Sequence, residues 1–176
     1  MPAVLGPDKQ LGRWVIEHRV HWLDWLFEGL SRIGTLGLVW IAIALVLTIL
    51  WRRPWIVVSV GAALYAADLC ATLLKLLIPR HRPRVHQLVP GPKDHSFPSG
   101  HAATSFAGAT LLAWYAPRLR IPLYLLAAGI AFSRVYVGVH WPLDVVAGAL
   151  VGWGIATALR RLVGARLQSH RSPRSG

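Results

Sequence analysis

The chain has 176 residues, 55% of them hydrophobic and 15% charged, with a mean hydropathy of +0.47. Soluble domains average about 45–50% apolar and about 25% charged residues, so this composition points to a single-domain membrane protein. The net charge of +12 does not make the chain a nucleic-acid binder, because the basic residues lie mostly at the ends of long apolar runs, in connections and in the tail, where positive-inside bias and anionic headgroups account for them.

In chain order, residues 11–31 come first. Arg13, Glu17, Arg19, Asp24 and Glu28 break up any apolar stretch of the kind a cleavable signal peptide needs. Leu11, Trp14, Val15, Trp22, Leu26 and Leu30 recur at roughly helical spacing. This pattern predicts an amphipathic helix lying in the membrane interface, with a short, imperfect first span as the alternative.

Five apolar runs follow, each near the roughly 20 residues that a helix needs to cross the hydrocarbon core. They cover residues 34–51, ended by Arg52, Arg53 and Pro54; 55–78, ended by Pro79; 99–116, ended by Pro117; 121–138; and 142–163. Trp51, Trp55, Trp114, Tyr115 and Trp141 fall near run ends, where amphipathic rings favour the interface. Cys70, the single cysteine, excludes an intramolecular disulfide, argues against a Cys/His zinc site and reads as a small packing residue. The tail from residue 164 is basic, poor in apolar residues and expected to be disordered. The predicted fold is all-α: a polytopic transmembrane bundle with a 1–33 interfacial segment, a 34–163 membrane domain and a 164–176 tail.

Spans alternate in direction, and that brings three polar segments to one membrane face. KLLIPRHRP (75–83) closes the second run, PSGH (98–101) opens the third, and SRVYVGVHWPLD (133–144) joins the fourth to the fifth. Arg52, Arg53, Arg118, Arg120, Arg160, Arg161, Arg166, Arg171 and Arg174 lie on the other side. That side is then cytoplasmic, and the polar segments face outward.

Charges near a bilayer are costly and mark function by default. Lys75, Arg82 and Arg134 make a candidate phosphate clamp, with arginine forks and a lysine point charge facing three acceptor oxygens. Ser99 and Gly100 open a helix whose free N–H groups suit an anion, and glycine lets the ligand approach the backbone. His101 and His140 supply a candidate acid and a candidate nucleophile. Asp144, four residues after His140, shares its helix face and can orient the ring. Taken singly, each of these residues reads as an interfacial anchor, a helix cap or a structural hydrogen-bonder. Arg80 and Arg84 keep the anchor reading, and His18, His21, His81, His86 and His95 the structural one. Asp68, inside the second run, is singled out by its charge but given no role. The long connection over residues 79–98, with His86, Lys93, Asp94 and His95, is placed to read what lies beside the phosphate.

Lys75-x6-Arg82-Pro83, Pro98-Ser99-Gly100-His101 and Ser133-Arg134-x5-His140-x3-Asp144 together resemble the three-part signature of the type 2 phosphatidic acid phosphatase (PAP2) superfamily, membrane lipid phosphatases that share a site with vanadium haloperoxidases. The resemblance implies His140 as nucleophile, Asp144 as its partner and His101 as general acid. It implies Lys75, Arg82, Ser99, Gly100 and Arg134 as phosphate ligands, with no metal or other cofactor. The implied substrate is a lipid phosphate drawn from the bilayer: phosphatidic acid, phosphatidylglycerol phosphate, a polyprenyl diphosphate or a polyprenyl-phosphosugar. The compact chain favours a bacterial envelope enzyme in the cell membrane. The alternatives are a vanadate-dependent haloperoxidase, disfavoured because its relatives are soluble, and a non-catalytic lipid binder, disfavoured by the complete catalytic set.

Overall fold

The computed structural model describes residues 6–83, 86–91 and 93–169, with side chains as far as residue 162. Among these residues there are helices and no strands. The helices are α1 (Pro7–Glu17), α2 (His21–Ile33), α3 (Leu38–Trp51), α4 (Trp55–Leu77), α5 (Gly100–Tyr115), α6 (Arg120–Tyr136) and α7 (Pro142–Ser169). Short 3-10 turns at Thr35–Gly37 and Pro117–Leu119 lead into α3 and α6.

Trp55–Leu77, Pro117–Tyr136 and Pro142–Leu162 are each long and apolar enough to cross a membrane, and α2 with α3 makes a fourth candidate, bent by 56°. The bend falls where Leu36 and Gly37 take positive φ angles of 53° and 69°, which end one helix direction and begin another.

Helix α5 has only 16 residues, yet it forms the centre of the bundle, with most of its side chains buried. Small residues make that position possible. A Cβ added at Gly148 of α7 would lie 2.3 Å from the Ser99 carbonyl oxygen, and one at Gly152 would lie 2.0 Å from that of Ala103. The two backbones therefore touch along a Gly-x3-Gly stripe, the arrangement that lets helices pack by van der Waals contact where lipid removes the hydrophobic drive. On another face of α5, Trp40 is fully buried over Gly108 and donates from Nε1 to Ser105 Oγ (3.3 Å).

At three places the structure differs from the sequence reading. Residues 11–31 are not one helix: α1 ends at Glu17 and α2 begins at His21. The break is held by Tyr136 of α6, whose hydroxyl accepts from Val20 N–H (3.3 Å) and sits 3.1 Å from Val20 O and 2.8 Å from Asp24 Oδ1. Backbone groups freed by a helix break need such partners when shielded from water. Helix α7 runs on to Ser169, past the expected start of the tail at 164, and residues 170–176 lie outside the described residues. Finally, Trp141 is no interfacial ring. It is 6% exposed, and its Nε1 donates to His81 O (2.9 Å), tying the connection after α4 to the start of α7.

Candidate active site

The C-terminal ends of α4 and α6 and the N-terminal ends of α5 and α7 meet at one end of the bundle. The link between α6 and α7 is a tight turn. Gly138 there has a φ of 80°, a left-handed conformation that glycine adopts without strain. The turn folds the chain back so that Val139 N–H (3.2 Å) and His140 N–H (3.1 Å) both donate to the Arg134 carbonyl. Two residues six apart in sequence thus become neighbours. Asp144, fully buried in the first turn of α7, accepts the Trp141 N–H at Oδ2 (2.9 Å), and the same oxygen lies 3.5 Å from His140 Nδ1. Ser99 N–H donates to the Asp144 carbonyl (2.9 Å), which locks the start of α5 to the start of α7.

Arg82 reaches in from the connection after α4. Its Nη1 donates to Val139 O (2.8 Å) and lies 3.0 Å from His140 Nε2; its Nη2 donates to Asp94 Oδ1 (2.6 Å) and His95 O (3.2 Å); its Nε donates to Asp94 O (3.0 Å). A guanidinium can only donate, so Nε2 of His140 is the accepting nitrogen. The ring proton then sits on Nδ1, facing Asp144. Burial, with the charges of Arg82 and Arg134, pushes His140 down to about 4 despite the carboxylate beside it. The imidazole is therefore neutral at physiological pH.

Asp94 also accepts from Lys75 Nζ (2.5 Å), so one carboxylate bridges both cations. Burial alone would raise its proton affinity, but the hydrogen bonds and charges of Lys75 and Arg82 outweigh that and hold Asp94 below the usual carboxylate range.

Lys75, Arg82, Gly100, His101, Arg134 and His140 line a single cavity of about 420 Å3. Leu36, Ile41, Leu64 and Tyr65 of the α2–α3 junction, α3 and α4 make an apolar wall. Asp144 and Ser99 are brought to the same place but stand behind that lining, fully buried. Ser99 holds the N-cap position of α5 without a side-chain capping bond. Its Oγ, His101 Nε2 and Arg134 Nε are buried without a hydrogen-bond partner among the described residues. Buried polar atoms are normally paired; His140 Nδ1 is a fourth such atom at this end of the bundle, and Arg19 Nε and Nη2 are unpaired as well. Among the described residues no group of three or more His, Cys, Asp or Glu side chains is placed to hold a metal ion.

The structure adds residues that the sequence did not single out. Ser31 of α2 accepts from Arg134 Nη1, across 103 residues of chain. Arg80, expected as a headgroup anchor, is instead half-buried between two carboxylates: Nη1 donates to Asp144 Oδ1 (2.5 Å) and Nη2 to Asp8 Oδ2. Its partners lie 64 and 72 residues away, so no local signal separates Arg80 from Arg84, which lies outside the described residues. Asp68, singled out from sequence without a role, is placed in the cavity wall, beside Gly100.

The family model of the PAP2 superfamily matches residues 56–168. The chain is 33% identical over 154 residues to an undecaprenyl-diphosphatase of Sulfolobus acidocaldarius, covering 84% of this chain and 74% of that protein. It is 35% identical over 150 residues to a decaprenylphosphoryl-5-phosphoribose phosphatase of Mycobacterium tuberculosis, covering 82% of each. The crystal structure of Aquifex aeolicus LpxE superposes with a TM-score of 0.78 at 28% identity, over 92% of this chain and 99% of that one.

Proposed function

The chain belongs to the PAP2 superfamily and is a membrane lipid phosphatase, a phosphoric monoester hydrolase; on that premise we propose that it releases the terminal phosphate of a polyprenyl-linked lipid through a phosphohistidine at His140. The observation that carries this reading is the single cavity in which Lys75, Arg82, Arg134 and both histidines face an apolar wall. A phosphate fits the charged end, and an acyl or prenyl chain fits the wall. The polyprenyl preference draws on the two relatives above, whose names place their substrates in that class.

In the proposed reaction Lys75, Arg82 and Arg134 turn their donors to the phosphate oxygens, joined by the N–H groups that open α5. Arg82 then leaves His140 Nε2, and the freed lone pair attacks phosphorus. Asp144 takes up the charge of the imidazolium that forms, through Nδ1–H. The bond from phosphorus to the lipid oxygen breaks, and that oxygen receives a proton from His101. The dianionic phosphate favours the proton on His101 when substrate is bound. Water then attacks the phosphohistidine, gives its proton to His101 and frees Nε2. Ser99 and Gly100 hold the start of α5 against α7 while this occurs. No residue in this sequence of steps calls for a metal.

In this reading α3 to α7 all cross the membrane, with α5 the short central helix, and α1 and α2 lie in the interface at the site end. Arg52, Arg53, Arg118, Arg120, Arg160 and Arg161 at the far end put that end in the cytoplasm by the positive-inside rule. The site then faces the extracytoplasmic side of a bacterial cell membrane.

The test is phosphate release by purified protein in detergent with a chelator present, on undecaprenyl diphosphate, a polyprenyl-phosphosugar phosphate, phosphatidylglycerol phosphate and phosphatidic acid. Turnover is expected on the polyprenyl substrates and is lost in His140→Ala. Full activity of His140→Ala would refute the phosphohistidine route, and preference for a glycerolipid would refute the substrate class.

A further inference from the structure

Helix α1 touches the catalytic turn at two separate places. Asp8, in its first turn, receives the Leu143 N–H at Oδ1 (2.7 Å) and Arg80 Nη2 at Oδ2. One turn on, Gly12 lies so close to Trp141 that an added Cβ would be 2.8 Å from its ring. Trp141 and Leu143 are the residues immediately after His140 and before Asp144. Arg80 completes the link, since its other nitrogen donates to Asp144 Oδ1 (2.5 Å).

Asp144 therefore divides its two oxygens. Oδ1 faces Arg80, and Oδ2 faces Trp141 N–H and His140 Nδ1. Arg80 is itself shared between Asp144 and Asp8. The arrangement is a row of alternating charge: Asp8, Arg80, Asp144, and then the ring on which positive charge must develop. Each member alters how much of its neighbour's charge is left for the next.

We propose that Asp8 and Arg80 are positioning residues of the phosphatase, and that α1 acts through them on Asp144 to set the orientation and charge state of His140. The assignment rests on the reading of His140 as nucleophile, but the linkage itself does not. Two consequences separate a charge relay from a mere structural brace. Removing the Arg80 charge leaves Asp144 undivided for His140 and favours the imidazolium. Removing the Asp8 charge leaves Arg80 undivided for Asp144 and disfavours it. A brace would move both variants the same way, or neither.

The other charged groups facing His140 stay constant in both variants: Arg82 from the connection after α4, paired with Asp94; Arg134 from α6; His101 from α5; and Lys75 from α4. Asp8→Asn keeps an oxygen for the Leu143 N–H and is the gentler change.

The experiment uses full-length protein in detergent: wild type, Arg80→Gln, Arg80→Lys and Asp8→Asn. His140 titration is followed directly from its ring resonances, assigned with His140→Gln. The acid limb of phosphate release from undecaprenyl diphosphate is measured beside it. The His140 midpoint is expected to rise by about one pH unit in Arg80→Gln, to fall in Asp8→Asn, and to return toward wild type in Arg80→Lys. Midpoints that stay in place, or that move the same way in Arg80→Gln and Asp8→Asn, overturn the proposal. If Arg80→Gln does not fold, Asp8→Asn and Arg80→Lys still decide it: a fall in Asp8→Asn with a wild-type midpoint in Arg80→Lys supports the relay, and any other pair of outcomes overturns it. If the resonances shift as expected while His140→Ala still turns over substrate, the linkage stands and the phosphohistidine route fails.

Discussion

Replacing Arg82 by lysine keeps the positive charge and removes the fork. The guanidinium makes five hydrogen bonds on two sides: Asp94 and His95 on one, Val139 and His140 on the other. An ammonium is a point donor and can serve only one side at a time. In the resting protein this frees about two neutral acceptors, at about 1 kcal/mol each, so the connection after α4 loses roughly 2 kcal/mol of its attachment. In the transition state the loss is one charge-assisted bond of the bidentate pair, about 2–3 kcal/mol. That corresponds to roughly a 30- to 150-fold fall in kcat/KM. Measuring kcat/KM for lipid phosphate release together with the thermal midpoint in detergent separates the two effects. A lysine variant within about threefold of wild type in kcat/KM, with the fold intact, would refute the reasoning, because it would mean that charge alone and not geometry holds the phosphate.

Other expectations follow from the same geometry. Gly152→Ala places a methyl group 2.0 Å from the Ala103 carbonyl and should prise α7 from α5, lowering the thermal midpoint sharply, whereas Gly154→Ala meets nothing within 4 Å and should leave it unchanged. His140, held at about 4 in the folded state, is neutral there while the unfolded chain takes up its proton from about pH 6.5 downward. Stability should therefore fall as the pH drops from about 6.5 to about 4, by up to about 3 kcal/mol from this group, and His140→Gln should flatten that slope in melts recorded across the range. Asp94 has the opposite sign of charge but the same direction: its ion pairs with Lys75 and Arg82 contribute fully above the ordinary carboxylate range and are lost as pH falls through its depressed folded value. Asp94→Asn should remove that last acid loss in the same melts. If His101 protonates the leaving group, His101→Gln should slow release from a lipid alkyl phosphate far more than release from an aryl phosphate whose leaving group needs no proton; equal slowing on both would deny it that role.

The apolar runs and the spacing of the polar segments specify a good deal by themselves. A stretch such as residues 55–78 must be helical in lipid, because no other backbone conformation satisfies its own N–H and C=O groups there. Alternation of direction then sends Lys75, Gly100, Arg134 and Asp144 to one end of the bundle. His140 and Asp144 are also legible as a pair, since a four-residue step on a helix face is a local relation.

Other features had no local trace. The break between α1 and α2 is contacted by Tyr136, more than a hundred residues away. Apolar spacing and charge made residues 11–31 look like one amphipathic helix, whereas the chain breaks at Val20, whose backbone groups meet the Tyr136 hydroxyl. Arg80 and Arg84 each follow a proline and lie within two residues of Arg82 and of a histidine. Only the arrival of Asp8 from one direction and Asp144 from the other turns Arg80 from an anchor into part of the frame behind His140. Asp94 reads as a loop carboxylate until Lys75 and Arg82 close on it.

The chain's periodicity and residue types, read alone, thus determine that this is a helical membrane protein with cations, two histidines and a carboxylate at one end, because those properties act over one turn or one span. Tertiary structure decides which of them share a cavity, which stand behind it and which nitrogen of His140 accepts from Arg82. Those outcomes depend on distances between helices, and those distances are set by small-residue contacts such as Gly152 on Ala103 and by hydrogen bonds whose partners lie far apart in the chain.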